Sequence, residues 1–344
     1  MCFLVFEDKE VSDLAICPRE FRNTDKSPDY GINGQSARGP SVNSTIMGAQ
    51  ELYEVKNVVI VGTGLMGTGI AQVAVEKGFR VTVVGRNLEK LNQCKNKIKN
   101  GISRSAKKRF PEETEAREDY VGACLQNLTL VDNYDEADLE DAEVLIEAVV
   151  ENLKVKQKLL SEVENRISET CIVVTNTSSF LLEDVSDKFS KKSHFAGLHF
   201  FNPVPSMKLV EVVRGTVTTD TVYQSLLNFC KKLGKTPVKS RDTPGFIVNR
   251  LLIPYLLEAM RMEERKDATL EDIDTAMKLG TGHPMGPFEL LDYIGLDTMK
   301  FVVDGWHQRF PDDPRFFPCE TLDRLVQEGK LGRKTGQGFH TYNI

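Results

Sequence analysis

An α/β domain built on a parallel sheet, followed by an all-α C-terminal domain, is the fold class that this 344-residue sequence predicts. Three observations carry that expectation. From Val58 onward, short β-branched runs alternate with segments of helical period, the pattern of a parallel sheet covered by helices. Gly62-Thr63-Gly64-Leu65-Met66-Gly67 follows the first of these runs directly and opens a helix. After Thr236-Pro237-Val238 the strand signals stop and helical ones continue alone.

Residues 1–54 mix Asp, Ser, Asn, Gly and Pro without an apolar period, so they predict a disordered or processed extension. As a presequence it is imperfect, because Glu7, Asp8, Glu10 and Asp13 place acid where such peptides avoid it; Met47 offers an alternative start. The α/β domain is expected over 55–240, with strands at 58–61, 81–84, 128–131, 144–148, 172–175 and 195–198. A Lys-rich amphipathic stretch over 88–110 predicts a long helix or helical hairpin that leaves the sheet, an excursion reaching to about 120. Thr243-Pro244-Gly245 then predicts the start of the helical domain over 241–344, with Thr243 as N-cap and Pro244 at the first helical position. Helices are expected at 246–264, 270–279, 287–294, 296–309 and 321–328, the first kinked at Pro254.

Composition narrows the class. With 40% hydrophobic and 27% charged residues the chain can build two real cores, and its net charge of −6 argues against broad nucleic-acid binding. No segment reaches the roughly 18 consecutive apolar residues of a membrane span. The seven cysteines are scattered without a C-x-x-C pair, which predicts reduced thiols in an intracellular protein and no structural metal site.

The glycine-rich turn predicts a Rossmann-type dinucleotide site. Gly62 permits the tight turn, Gly64 lets the backbone approach a pyrophosphate, and Gly67 allows close helix-to-strand packing. The helix N-terminus, opened by Leu65 and Met66, supplies amide donors for the phosphates. In such a site the second strand should end in an acid for the adenosine ribose, yet 81–84 leads into Gly85-Arg86-Asn87. A missing carboxylate removes the selection for unphosphorylated ribose, and Arg86 suits a 2′-phosphate, so the residues leave NAD and NADP open.

A second constellation places a polar pair among apolar residues. Gly197-Leu198-His199-Phe200-Phe201-Asn202-Pro203 and Leu209-Val210-Glu211-Val212-Val213 predict two strands joined by a Pro-rich turn, across which His199 and Glu211 meet. A carboxylate that holds an imidazole fixes its tautomer and raises its basicity, which suits a base for a substrate hydroxyl. Taken alone, the pair is more often a structural one.

Together these motifs resemble the short-chain L-3-hydroxyacyl-CoA dehydrogenases over nearly everything from Val58 to Phe339. Further carriers are Glu151-Asn152-Leu153-Lys154-Val155-Lys156, Asn176-Thr177-Ser178-Ser179, Asp242-Thr243-Pro244-Gly245-Phe246-Ile247-Val248-Asn249-Arg250, Gly286-Pro287-Phe288-Glu289-Leu290-Leu291-Asp292 and Lys334-Thr335-Gly336-Gln337-Gly338-Phe339. The resemblance implies oxidation of an L-3-hydroxyacyl-CoA to the 3-ketoacyl-CoA, with hydride transfer to NAD, in fatty acid β-oxidation. It also implies a homodimer in the mitochondrial matrix, although the acid-bearing extension keeps a cytoplasmic location open. His199 matches the catalytic base and Glu211 its orienting glutamate. Ser178 matches a serine near the substrate hydroxyl and nicotinamide, and Asn249 an asparagine at the thioester end. Glu151, Lys156, Asn202 and Lys334 match positions along the dinucleotide, and Lys108 a lysine that contacts CoA.

Two departures stand out: the ribose-binding Asp of the family is Gly85 here, and a serine expected two turns before Lys108 is Gly101. Arg104, Lys107, Lys108 and Arg109 still offer charge to the CoA phosphates. Two other functions compete on the same fold: an NAD(P)-dependent dehydrogenase of a free hydroxy acid or sugar acid, and a crystallin-like binding protein without turnover. The intact set of Ser178, His199, Glu211 and Asn249 favours an enzyme, and the basic run favours a CoA thioester.

Overall fold

The computed structural model describes residues 52–343, so most of the expected extension, with Met47, Cys2 and Cys17, lies outside the described residues. In chain order the elements are β1 (Asn57–Val61), α1 (Leu65–Glu76), β2 (Arg80–Val84), α2 (Leu88–Arg109), α3 (Thr114–Gln126), β3 (Leu128–Val131), β4 (Val144–Glu147), α4 (Leu153–Val163), β5 (Ile172–Thr175), α5 (Leu182–Val185), β6 (Phe195–Phe200), β7 (Leu209–Arg214), α6 (Asp220–Lys232) and β8 (Thr236–Arg241). The helical part adds α7 (Val248–Glu264), α8 (Leu270–Thr281), α9 (Pro287–Ile294), α10 (Leu296–Arg309) and α11 (Glu320–Gln327).

The strands form one sheet in the order β3-β2-β1-β4-β5-β6-β7-β8. The first six are mutually parallel; β7 turns back antiparallel to β6, and β8 runs parallel to β7. Because helices cover both faces, the central strands are apolar on both sides: β4 and β5 are buried throughout. Alternation sends Val58 and Ile60 of β1 into one core and Val59 and Val61 into another. A third core, including Leu256, Phe288, Met299 and Trp306, belongs to the helical part.

Three elements differ from the sequence expectation. Strand signal fades at Pro237 and Lys239, yet the chain stays extended to Arg241 because β7 supplies a parallel partner along its whole length. Helix α6, absent from the expected set, is capped by Thr219, whose side chain accepts from the Val222 amide, and it buries Leu226 and Phe229 against the sheet. Thr243 does not cap α7. That helix starts at Val248 without a side-chain cap on Ile247, after a turn in which Gly245 and Phe246 take φ of 74° and 52°. A Cβ on Gly245 would come within 2.4 Å of the Trp306 ring, so only glycine fits between the turn and α10. The α7 helix is continuous through Pro254.

The Lys-rich excursion is the helical pair α2 and α3, closed by the Arg109 guanidinium over the Tyr120 ring at 5.3 Å. Gly101 lies where α2 crosses α1: a Cβ there would sit 2.1 Å from the Gln72 side-chain oxygen. A serine at this position would have to displace the end of the Gln72 side chain, which here occupies the space beside Gly101.

Candidate active site

Register brings the polar pair together. In the β6–β7 ladder His199 stands directly opposite Glu211, and His199 Nδ1 donates to Glu211 Oε2 at 2.5 Å. Both side chains are essentially inaccessible, at 1% and 0% exposure. The second carboxylate oxygen of Glu211 accepts the backbone amides of Ile247 (3.0 Å) and Val248 (2.8 Å), the first turn of α7. The carboxylate therefore does the work expected of Thr243, since it satisfies the unpaired amides and meets the positive end of the helix. A buried charge held by two amides and an imidazole has little freedom to turn. The His199 ring packs against Phe201 and Phe246, with centroids 4.6 and 5.6 Å away. Fixing hydrogen on Nδ1 makes Nε2 the nitrogen that takes a proton.

Beyond β5 the chain makes a polar loop organised by Glu151. Its Oε1 accepts from the Thr177 hydroxyl (2.6 Å), the Ser178 and Ser179 amides (3.0 and 3.1 Å) and the Ser179 hydroxyl (2.8 Å). Ser178 is buried, and its carbonyl accepts from Asn249 Nδ2 at 3.4 Å, which ties the loop to α7. Behind Glu151 lies Lys156, 1% exposed, whose ammonium bonds both oxygens of Glu147 at 2.8 and 2.9 Å and reaches Glu151 at 3.1 Å. Thr175 adds a hydroxyl to Glu147 at 2.6 Å. Burial alone would lower the Lys156 pKa, but Glu147 and Glu151 outweigh it and raise the value. Burial likewise pushes Glu151 up, while Lys156 and then the Thr177 and Ser178 hydrogen bonds pull it down, and the carboxyl lies below its ordinary range.

The dinucleotide turn has the expected stereochemistry. Gly62 adopts φ 132° with its would-be Cβ 2.3 Å from the Ala148 carbonyl oxygen, and a Cβ on Gly67 would lie 2.0 Å from the Gly62 oxygen. Gly64 has nothing within 4 Å at that place and no side-chain cap on α1, so the first-turn amides of α1 have no side-chain acceptor at their N-cap. A cavity of about 970 Å³ opens here, walled by Gly62 to Met66, Gly85, Arg86, Lys90, Glu151 and Asn176. A smaller one of about 260 Å³ brings Ser178 and Ser179 up to Thr298 and Phe301 of α10, and Glu151 borders both.

The remaining expected positions are placed unevenly. Asn202 is buried and its side-chain nitrogen has no partner among the described residues, a donor that suits a ligand acceptor. Lys156 does not wall the cavity; it stands behind Glu151. Lys334 is half-exposed and held by Asp297 at 2.5 and 2.6 Å, and it is not among the cavity walls. Lys108 is exposed in the last turn of α2. Sequence reasoning missed Glu147, Thr175 and Thr177; the usable signal was a polar residue closing each of the apolar strands β4 and β5. Among the described residues no cluster of ligating side chains suits a metal ion, and no helix is long and apolar enough to cross a membrane.

A glycine cradle with an amide-bearing helix end, a cleft large enough for a dinucleotide and a buried imidazole–carboxylate pair define a dinucleotide-dependent oxidoreductase. The comparisons with known proteins agree. The family model for the 3-hydroxyacyl-CoA dehydrogenase NAD binding domain matches residues 57–243, and that for the C-terminal domain matches 245–342. The mitochondrial hydroxyacyl-coenzyme A dehydrogenase of Homo sapiens is 47% identical over 90% of this chain and 99% of its own length. A probable 3-hydroxyacyl-CoA dehydrogenase of Caenorhabditis elegans is 49% identical over 85% and 94%. The crystal structure of (S)-3-hydroxybutyryl-CoA dehydrogenase from Ralstonia eutropha superposes with a TM-score of 0.79 at 37% identity, covering 85% of this chain and all of that one. The chain belongs to the 3-hydroxyacyl-CoA dehydrogenase family, and it is an oxidoreductase that works with a nicotinamide cofactor.

Proposed function

We propose that the chain oxidises L-3-hydroxyacyl-CoA to 3-ketoacyl-CoA as a step of fatty acid β-oxidation, with His199 as the base. The observation that carries this reading is the division of the Glu211 carboxylate between His199 Nδ1 and the two amides of α7. It leaves the imidazole in one tautomer and in one orientation. His199 Nε2 takes the proton of the substrate hydroxyl, and Glu211 stabilises the imidazolium that results. A nicotinamide held in the cavity beside Gly62 to Met66 and Glu151 would supply the hydride acceptor for the carbon that bears that hydroxyl. Ser178 and Asn249 position the substrate oxygens, and Glu151 with Lys156 behind it holds the Ser178 loop in place. The apolar α10 residues Phe301 and Val302 beside Ser178 help to exclude water. Lys108 and its neighbours on α2 meet the CoA phosphates.

The rest of the reading rests on likeness. The relatives named mitochondrial support the mitochondrial matrix as the compartment. A homodimer through the helical part rests on the family resemblance, and Leu251 and Leu279, 71% and 83% exposed, are apolar side chains there that a subunit interface would cover. The family description points to NAD, whereas the residues closing β2 lack the acid on which that choice depends. The test is reduction of acetoacetyl-CoA, assayed with NADH and with NADPH, beside oxidation of gulonate. Turnover of acetoacetyl-CoA is expected; turnover of gulonate alone would move the enzyme to free hydroxy acids.

A further inference from the structure

We propose that this chain takes the 2′-phosphorylated cofactor, NADP(H), and that Arg86 with Lys90 holds the 2′-phosphate. The inference deepens the dehydrogenase reading and rests on it. Discrimination between the two cofactors is local, because they differ only by one phosphate on the adenosine ribose. A carboxylate at the end of the second strand bonds the ribose hydroxyls and repels that phosphate; an arginine in its stead accommodates it.

The first observation concerns what is excluded. Gly85 follows β2 directly, and its amide donates to the Val131 carbonyl at 3.0 Å, so its backbone is fixed beside the glycine turn. A Cβ on Gly85 would lie 2.4 Å from Thr63 Cγ2 and 3.1 Å from Leu91 Cδ2. The Thr63 methyl, part of the phosphate turn itself, fills the space that the stem of an aspartate would need. A side chain at position 85 would have to displace that methyl, so the acid is absent together with the room for it.

The second observation concerns what is supplied. Arg86 and Lys90 are both exposed walls of the 970 Å³ cavity, and neither pairs with a carboxylate among the described residues. Lys97 is a third such cation on the same wall. Helix α2 begins between them: the Asn87 side chain accepts from the Lys90 amide at 2.9 Å, so the positive end of the helix adds to the same field. The carboxylates that border the cavity are each paired. Glu162 lies 3.6 Å from Lys158, and Glu151 lies 3.1 Å from Lys156. Glu89, one residue before Lys90, accepts from Gln93 at 3.2 Å and does not wall the cavity. A dianion is thus met by unpaired cations, one of them a guanidinium whose planar fork matches two phosphate oxygens at once.

The experiment is equilibrium binding without substrate, by calorimetry, of NADPH, NADH, adenosine 2′,5′-bisphosphate and AMP to the full chain and to Arg86→Ala. Since Arg86 is exposed, the variant should keep its melting temperature, which is checked first. The expected result is a preference for NADPH over NADH of about tenfold or more, as a charge-assisted bond supplies. The bisphosphate should likewise exceed AMP, and its advantage should shrink with salt. Arg86→Ala should collapse both ratios by about tenfold, with Lys90→Ala a smaller second loss. Tighter binding of NADH, or a variant that weakens both members of each pair equally, would overturn the inference and leave the dehydrogenase reading intact if NADH supports acetoacetyl-CoA reduction. Binding of none of the four would overturn both.

Discussion

The two ends of the cleft are held by different physics. At the base end His199 and Glu211 are buried on paired strands, and the carboxylate is also bonded to the backbone of α7. At the ribose end the groups that would meet the ligand, Arg86 and Lys90, are exposed side chains at the start of a helix. Change at the first end disturbs a network that has no solvent to fall back on. At the second, charge can be exchanged at little cost to the fold, and one of the chain's two departures from the family resemblance, Gly85, lies there.

The largest expected effect belongs to the base. His199→Gln keeps a polar side chain opposite Glu211 and should lower kcat for acetoacetyl-CoA reduction by roughly 10²- to 10⁴-fold, the range of a lost general acid–base. KM should change little, because the imidazole contributes to the transition state and not to uniform binding. Near-normal kcat would remove His199 from the mechanism and reduce the pair to a structural one.

The next effect tests burial directly by comparing two lysines near one cavity. Lys156→Met leaves Glu147 and Glu151 facing each other without a cation, and breaking such a buried set costs about 3–5 kcal/mol. Lys158→Met removes the exposed partner of Glu162, 73% and 43% accessible, and should cost less than about 1 kcal/mol. Urea unfolding of both variants gives the comparison. The acid limb sharpens it. Glu151 has a folded pKa below its ordinary 4.5, so its contribution is full above that value and is lost as pH falls through the folded pKa. Without Lys156 the folded pKa rises and the acid-unfolding midpoint should move to higher pH. Equal costs for the two lysines would mean that the Glu147–Lys156–Glu151 set is hydrated.

What could be seen in the sequence follows the same division. Strand runs such as Val144-Leu145-Ile146 are legible because both faces of a parallel sheet must be apolar, and the glycine turn is legible because each glycine answers a steric demand. The His199–Glu211 pairing is legible because an antiparallel ladder joined by a short turn sets its own register. The start of α7 was not legible. Thr243 and Pro244 carry the local signal of a helix start, while the group that satisfies the amides lies 36 residues upstream of Ile247 on another strand. The burial of Lys156 was not legible for a related reason: a lysine on an amphipathic helix is ordinarily solvated, and only the tertiary fold puts two carboxylates around it.

The smallest effect probes why the acid is missing. If Thr63 excludes a side chain at position 85, Gly85→Asp should cost about 1–3 kcal/mol by overpacking, even though the position needs no positive φ. Thr63→Ser deletes the Cγ2 methyl that a Cβ would meet at 2.4 Å, and should itself cost little beyond one lost methyl. Combined, the two should be more stable than the sum of their separate costs, with a coupling of about 0.5–3 kcal/mol in a double-mutant cycle. The double variant, carrying a carboxylate beside the ribose, should also lose preference for the 2′-phosphorylated ligands. Simple additivity of the two costs would show that the turn and the strand end are independent, and the absence of an acid would then rest on the cations of α2 alone.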